Sequence, residues 1–469
     1  MSFPEIDLDN SLVPRVKELV AAKFPKQVGV LSELVKVPGI AWASFDPANL
    51  EKSAEMVASE LGKLEFFDWI EIRRASKPDG TQGAPAVIAR RGGVEDAPHV
   101  LLYAHHDVQP PGKVEDWDSE PFTATLKGDR LFARGVSDDK SGIVTHLTAL
   151  EVLKELSKDL RLGVTVFIEG EEEAGSPSFD NFLEANRKDL EADLIVVADS
   201  GNWDTSTPAL TTTLRGLVSV VVKVSTLDHA VHSGMFGGPV PDAMTAMIRL
   251  LASLHTESGD VAVAGLGSSA VADLPYTESQ LRQDSGLLSD VQRIGSKGIL
   301  QQNWGEPAIT VIGIDNPAVD VSSNTLQPSV RAKISMRISP AESPEAGLDA
   351  LKKHLRDHVP FGAKLEFGDV ELGPGYQAIS GWASRVSKQT MAAAWEKEPV
   401  EYGVGGSIPF ISKFAELFPK AQILVTGVEE PDSRAHSPNE SQHLPTLRHA
   451  MEAEALLLLH GNSLRRNMA

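Results

Sequence analysis

A chain of 469 residues is longer than one hydrophobic core usually serves, so two or three domains are expected. Its 65 Asp and Glu against 44 Lys and Arg give a formal charge of -21, which excludes a nucleic-acid backbone as partner because phosphate binding needs clustered cations. The absence of cysteine excludes disulfides, thiolate metal sites and cysteine nucleophiles, so any metal must sit on nitrogen and oxygen ligands.

In chain order, residues 1–10 are acidic, without the basic start and apolar core of a signal peptide. No stretch approaches the ~18 to 20 apolar residues of a membrane span, so a cytoplasmic protein without membrane partners is expected. Residues 12–37 carry apolar side chains at helical spacing, stopped by Pro38-Gly39, and 51–64 read as a second amphipathic helix. From there to about 213, short apolar strands alternate with helical stretches such as 142–156, the pattern of a mainly parallel α/β sheet.

The pattern changes at Arg215-Gly216. Strand-like 217–225, helical 243–254, strands 308–314 and 330–338, helical 345–358 and strand 364–371 predict an inserted α+β, ferredoxin-like unit, with Gly373-Pro374-Gly375 as its exit hinge. Polar 259–298 reads as a long surface connection within it. A helix over 380–397, a strand over 422–426 and a last helix over 447–459 return to α/β character. The expected domains are 1–213 and 375–469, forming one α/β catalytic domain, and 214–374 as the insert.

Five segments carry metal-ligand side chains: His105-His106-Asp107, Asp138-Asp139, Glu171-Glu172-Glu173, Asp199 and His436. The first, third and fourth follow the apolar runs 99–103, 164–168 and 194–197, which places them at carboxyl ends of strands, where open α/β sheets hold their sites. In an extended segment His105 and Asp107 face the same way, so the carboxylate can orient a metal-bound imidazole from behind. His106 points to the other face and is read as structural. Asp138-Asp139 before Lys-Ser-Gly can cap a helix, or Asp138 can span two cations ~3.5 to 4 Å apart. Three consecutive glutamates are usually a solvated run, yet after a buried-looking strand they can divide metal binding and proton transfer between them. Each segment alone also has a bland reading; their ordered recurrence after strands favours a dinuclear hydrolytic centre.

In order, the tracts are His-His-Asp-Val-Gln-Pro from 105, Trp117 through Pro121-Phe122, Arg-Gly-Val-Ser-Asp-Asp-Lys-Ser-Gly from 134 and Glu-Glu-Ala-Gly-Ser from 172. Asp199, His232-Ser-Gly-Met-Phe-Gly-Gly, Gly405-Gly-Ser-Ile-Pro and Ala435-His-Ser complete the series. Over about 98–440 this series resembles the M20 dinuclear metallopeptidases, most of all the carnosinase-like dipeptidase branch. The resemblance implies two divalent metals per subunit, zinc being expected and manganese or cobalt compatible with the same N/O ligands. His105 and Asp199 would hold one, Glu173 and His436 the other, and Asp138 would bridge them. Asp107 would orient His105, and Glu172 would be the general base acting on a water activated by both metals. The Asp138-Asp139 peptide would be cis.

By the same resemblance the insert would be a lid and homodimerisation domain, and His232 would polarise the scissile carbonyl of the partner subunit's substrate. Asn324, Arg337, Gly406 and Ser407 match positions near the substrate's carboxylate. Gly403-Val404 depart from the Arg-Glu that commonly precedes Gly-Gly-Ser-Ile-Pro in carnosinase-type enzymes. Asp at position 199 matches the aminopeptidases and dipeptidases of the family, whereas its amidohydrolases and carboxypeptidases tend to have Glu. The implied reaction is dipeptide hydrolysis, the alternatives being an N-acyl amino acid deacylase or desuccinylase and a non-catalytic metal-binding homologue.

Overall fold

The computed structural model describes residue 3, residues 6–406 and residues 409–465. Two compact units form. One comprises Met1–Thr212, Ala378–Tyr402 and Lys413–Ala469, the other Thr213–Gln377 and Gly403–Ser412.

The larger unit is built on one sheet. Its central strands, Gly163–Glu169, His99–His105, Leu194–Val197 and Gln422–Val425, lie side by side in that order and run parallel. Antiparallel strands flank them: Ala86–Arg91 and then Trp69–Arg73 on one side, Ala209–Leu214 on the other. Parallel strands covered on both faces need apolar side chains at successive positions, and Gly163–Glu169 is buried throughout. Side chains still alternate between faces. Val100, Leu102 and Ala104 join the core made with helices Val13–Leu34, Lys140–Leu156 and Leu444–Ser463. Tyr103 turns the other way onto Phe167 and Phe414, with ring centroids 5.5 and 5.8 Å away.

The path of the chain creates the site. From His99–His105 it crosses through Lys140–Leu156 to Gly163–Glu169 on one side, then through helix Phe179–Leu190 to Leu194–Val197 on the other side of the first strand. Such a reversal opens a crevice at the carboxyl ends of the strands. His105, Glu171 to Glu173 and Asp199 all follow those ends.

The chain leaves this unit after Thr212 and returns at Ala378, whose amide donates to the Thr212 carbonyl at 2.8 Å. In the second unit, strands Gly216–Ser225, Ala308–Asp315, Ser329–Ile338 and Lys364–Gly373 alternate with helices Ala243–Ala252 and Pro344–His358 as β-α-β-β-α-β. The four strands are antiparallel and ordered second, third, first, fourth, the ferredoxin-like arrangement. Val330, Ala332, Ile334, Met336 and Ile338 all point inward, as period-two patterning requires.

Two local features add to the expected pattern. The connection over 259–298 contains a helix, Glu278–Ser285, started by a capping box between Thr277 and Gln280. Gly403–Ser412 belongs to the second unit and not to the α/β unit. There the Arg215 Nε donates to the Gly405 carbonyl at 2.9 Å, and a Cβ on Gly403 would lie 2.6 Å from the Thr213 hydroxyl oxygen. A Gly-rich loop carries no periodicity that could announce such packing.

Candidate metal centre

Asp138 organises the centre. Its Oδ1 lies 3.1 Å from His105 Nε2 and its Oδ2 lies 3.0 Å from His436 Nε2, so one carboxylate joins two imidazoles. Around these histidines stand two donor sets, His105 with Glu172 and Asp199, and Asp138 with Glu173 and His436. Within each set the donor atoms lie within 4.8 Å of one another. The Asp138-Asp139 peptide is cis.

Each side chain is held from behind. The His105 Nδ1 faces the Asp107 carbonyl at 3.1 Å and its carboxylate at 3.4 Å, partners that hold a proton on Nδ1 and would leave Nε2 free to ligate a metal. Asp107 also accepts the Glu172 amide on Oδ1 and the Glu173 amide on Oδ2, both at 3.1 Å. One carboxylate thus fixes a histidine and the backbone of both glutamates. Gln109 donates to Glu173 Oε2 at 2.7 Å.

Asp139 does not cap its helix with its side chain; its Oδ2 accepts the His105 amide at 3.2 Å instead. Gly142 permits this, since a Cβ there would sit 2.4 Å from Asp139 Oδ1. Glu440, fully buried, accepts Arg134 Nη1 at 2.6 Å and the amides of Gly135, Ser137 and Asp138 at 3.0, 3.0 and 3.2 Å. It therefore anchors the turn that presents Asp138. His436 arrives on a loop in which Arg434, His436 and Asn439 all have left-handed backbones, a conformation non-glycine residues hold only when their surroundings enforce it. The His436 side chain is 58 % exposed, so the centre opens to solvent there, whereas His105 is fully buried.

The electrostatics match a cation site. Burial, opposed by His105 and reinforced by Asp138, pushes Asp199 up to about 7. Burial and then Asp199 push Glu172 well above the carboxylate range. Burial would lower the His105 pKa, but hydrogen bonds to Asp107 and Asp138 overcome it and raise it well above normal; hydrogen bonds to Asp138 and Glu173 raise His436 to about 11. Carboxylates this crowded oppose one another's ionisation. Two divalent cations would relieve that repulsion, and the mixed imidazole and carboxylate donors suit zinc, manganese or cobalt.

Residues 101–460 match the sequence pattern of Peptidase family M20/M25/M40. The chain belongs to that family. It is 31% identical over 415 residues to a cysteinylglycine-S-conjugate dipeptidase of Corynebacterium striatum, covering 87% of this chain and 90% of that one. It is 26% identical to the beta-Ala-His dipeptidase of Mus musculus over 84% of each chain. The dipeptidase Dug1p of Saccharomyces cerevisiae shares the fold, with a TM-score of 0.78 at 21% identity over 96% of this chain and 98% of that one. This M20 peptidase thus has the mixed α/β architecture of its family.

The remaining sequence-derived candidates lie in the second unit, except Ser407, which lies outside the described residues. His232 and Asn324 are neighbours: His232 pairs with Thr325, and the Ser233 amide donates to the Asn324 carbonyl at 2.9 Å. His232 is exposed, and its Nδ1 accepts the Gly234 amide at 3.0 Å, so the neutral ring carries its proton on Nε2. Arg337 is elsewhere. It stands opposite Leu217 and Ala308, at the end of Ser329–Ile338 remote from the loops that hold His232 and Asn324. Along a ten-residue strand the two ends are about 25 to 30 Å apart. Gly406 follows the Gly405 that Arg215 holds.

Sequence reasoning overlooked Gln109, Glu440 and Glu429. Gln109 and Glu440 stand inside the tracts that begin at His105 and end after His436, where spacing alone could have nominated them. Glu429-Glu430 looks like a solvated acidic pair, and only the folded loop distinguishes the two.

Proposed function

We propose that this M20 peptidase is a dinuclear metal-dependent dipeptidase. The observation that carries the reading is Asp138, with one oxygen on each of two histidines that belong to separate donor sets. His105, Asp199 and Asp138 would hold one metal, and Asp138, Glu173 and His436 the other. Bound there, two divalent ions supply Lewis acidity, which acidifies a water and polarises a peptide carbonyl.

The protein's own residues do the rest. Glu172 stands in the His105 and Asp199 set, with its amide tied to Asp107, so its carboxylate is positioned to take a proton from the attacking water and return it to the departing amine. Asp107 holds the histidine and the glutamates in one geometry. His232, with its Nε2 proton directed away from its own backbone, suits a hydrogen bond to the oxyanion of the tetrahedral intermediate. A single dipeptide cannot span the distance between His232 and Arg337 of one chain. That separation supports a homodimer in which the inserted unit lends His232 and Asn324 to the partner's centre, with Arg337, Gly406 and Ser407 left to read the substrate carboxylate.

Exhaustive chelation is expected to abolish cleavage of dipeptides, and zinc, manganese or cobalt to restore it. Undiminished activity in a verified metal-free preparation rejects the mechanism. A parallel panel of N-acyl amino acids separates the dipeptidase from a deacylase, since the latter cleaves the blocked substrates preferentially. Mixed dimers of Glu172→Ala and His232→Ala chains should regain about half of wild-type activity, because one centre per dimer then has both intact residues. Mixed dimers as inactive as their parents remove His232 from the partner's site.

A further inference from the structure

Beyond the proton-transfer and metal-binding assignments, Glu169 and Glu429 each keep an enclosed oxygen without a hydrogen bond, but Glu169 accepts the Tyr103 hydroxyl on its other oxygen at 2.7 Å. In a dipeptide the α-ammonium nitrogen lies about 2.5 Å from the scissile carbonyl carbon, so whatever reads it must border the metal ligands. Asp107, Asp139 and Glu440 there have their oxygens engaged by backbone amides, as does Glu171, which accepts the amides of Ala84 and Ser178 at 3.0 and 2.7 Å. Glu429 is different. Its Oε1 is enclosed and accepts no hydrogen bond, and it belongs to neither donor set.

Its position is fixed by backbone. Glu429 follows strand Gln422–Val425 and forms a parallel bridge with Gly201, two residues beyond Asp199, with the Asn202 amide donating to its carbonyl at 2.7 Å. The next residue, Glu430, turns to Arg130 at 2.7 Å. Successive side chains of an extended segment alternate, so Glu429 points the other way, over Gly201. A Cβ on Gly201 would lie 3.6 Å from Glu429 Cβ and 3.4 Å from the Tyr402 hydroxyl. Gly201 has no left-handed backbone that would demand glycine, and the position of that Cβ meets its neighbours at ordinary contact distances, so a group of methyl size fits there. Burial, then Asp138 and Asp199, push the Glu429 carboxyl well up, and His436 opposes them; the group faces the same charges as the metal ligands do. An enclosed carboxylate oxygen without a donor is costly, and a ligand that brings a donor together with a positive charge removes the cost.

We propose that Glu429 reads the free α-ammonium of the substrate and so makes the centre selective for unblocked dipeptides. This deepens the dipeptidase reading and rests on it. A primary ammonium supplies a positive charge and up to three N–H donors, is of methyl size, and would sit over Gly201, two residues beyond the proposed ligand Asp199. N-acylation would remove the charge and fill that space, leaving Glu429 enclosed and unpaired.

The test uses the metal-loaded enzyme and two ligands, a phosphinic dipeptide isostere with its free amine and the des-amino counterpart. Wild type is expected to bind the amine form about 10- to 100-fold more tightly, the discrimination of one charge-assisted hydrogen bond. Glu429→Gln, with both metals retained, should lose that preference while binding the des-amino form as wild type does. A wild type without the preference overturns the proposal, and so does a variant that keeps it or that loses a metal. The wild-type comparison needs no variant, so a misfolded Glu429→Gln does not protect the idea. A wild type that cleaves no dipeptide when metal-replete rejects the dipeptidase reading itself, a failure distinct from these.

Discussion

Glu172→Gln is expected to keep both metals and to lose roughly 10²- to 10⁴-fold in kcat, the usual contribution of a general base. The amide side chain preserves size and can still accept a hydrogen bond, but it cannot take the proton of the attacking water. Its backbone amide remains on Asp107, so the local fold should not change. Glu173→Gln is the control. Glu173 lies 3.2 Å from His436 Nε2 in the other donor set, and its loss should lower occupancy of one metal. Metal analysis beside single-turnover kinetics decides the matter: if Glu172→Gln loses a metal and Glu173→Gln does not, the two roles are exchanged.

Glu440→Ala should destabilise the protein by about 3 to 5 kcal/mol, because it leaves buried Arg134 without its partner. Three backbone amides lose their acceptor in the same step, among them that of Asp138. The loss should therefore appear both as a lower denaturation midpoint and as weaker metal retention. Arg134→Met/Glu440→Leu removes the charge imbalance and should recover part of the stability but not the grip on Asp138. If Glu440→Ala shifts the midpoint by less than about 1 kcal/mol, the buried pair does not hold the turn.

The α/β unit was legible because its chemistry follows apolar runs. His99–His105 and Leu194–Val197 are short, buried and bounded by polar residues, so the sequence shows both the strands and the end at which ligands gather. The inserted unit was legible by its period-two strands, of which Ser329–Ile338 is the clearest. What stayed hidden depends on contacts between residues remote in the chain. Asp139 looked like a helix cap because its local sequence permits one, and only the approach of His105 reveals the competing hydrogen bond. Glu440 lies more than 300 positions from the amides it accepts. Glu429 and Glu430 are identical in type and adjacent, yet one bonds Arg130 and the other lies over Gly201, a difference created wholly by which face of the loop each occupies.

The hydrogen bond from the Ala378 amide to the Thr212 carbonyl has an evolutionary corollary. It brings the departing and returning strands of the chain to within a normal strand spacing, so the α/β unit meets the main excursion at what is topologically a single point. A module whose own ends are adjacent can be exchanged, enlarged or lost at such a junction without rerouting the backbone that carries the ligands. Selection can then vary the accessory module while the metal-bearing scaffold is inherited intact. A chimera joining Thr212 to Ala378 through a foreign domain with neighbouring termini would inherit the metals and acquire a different clientele.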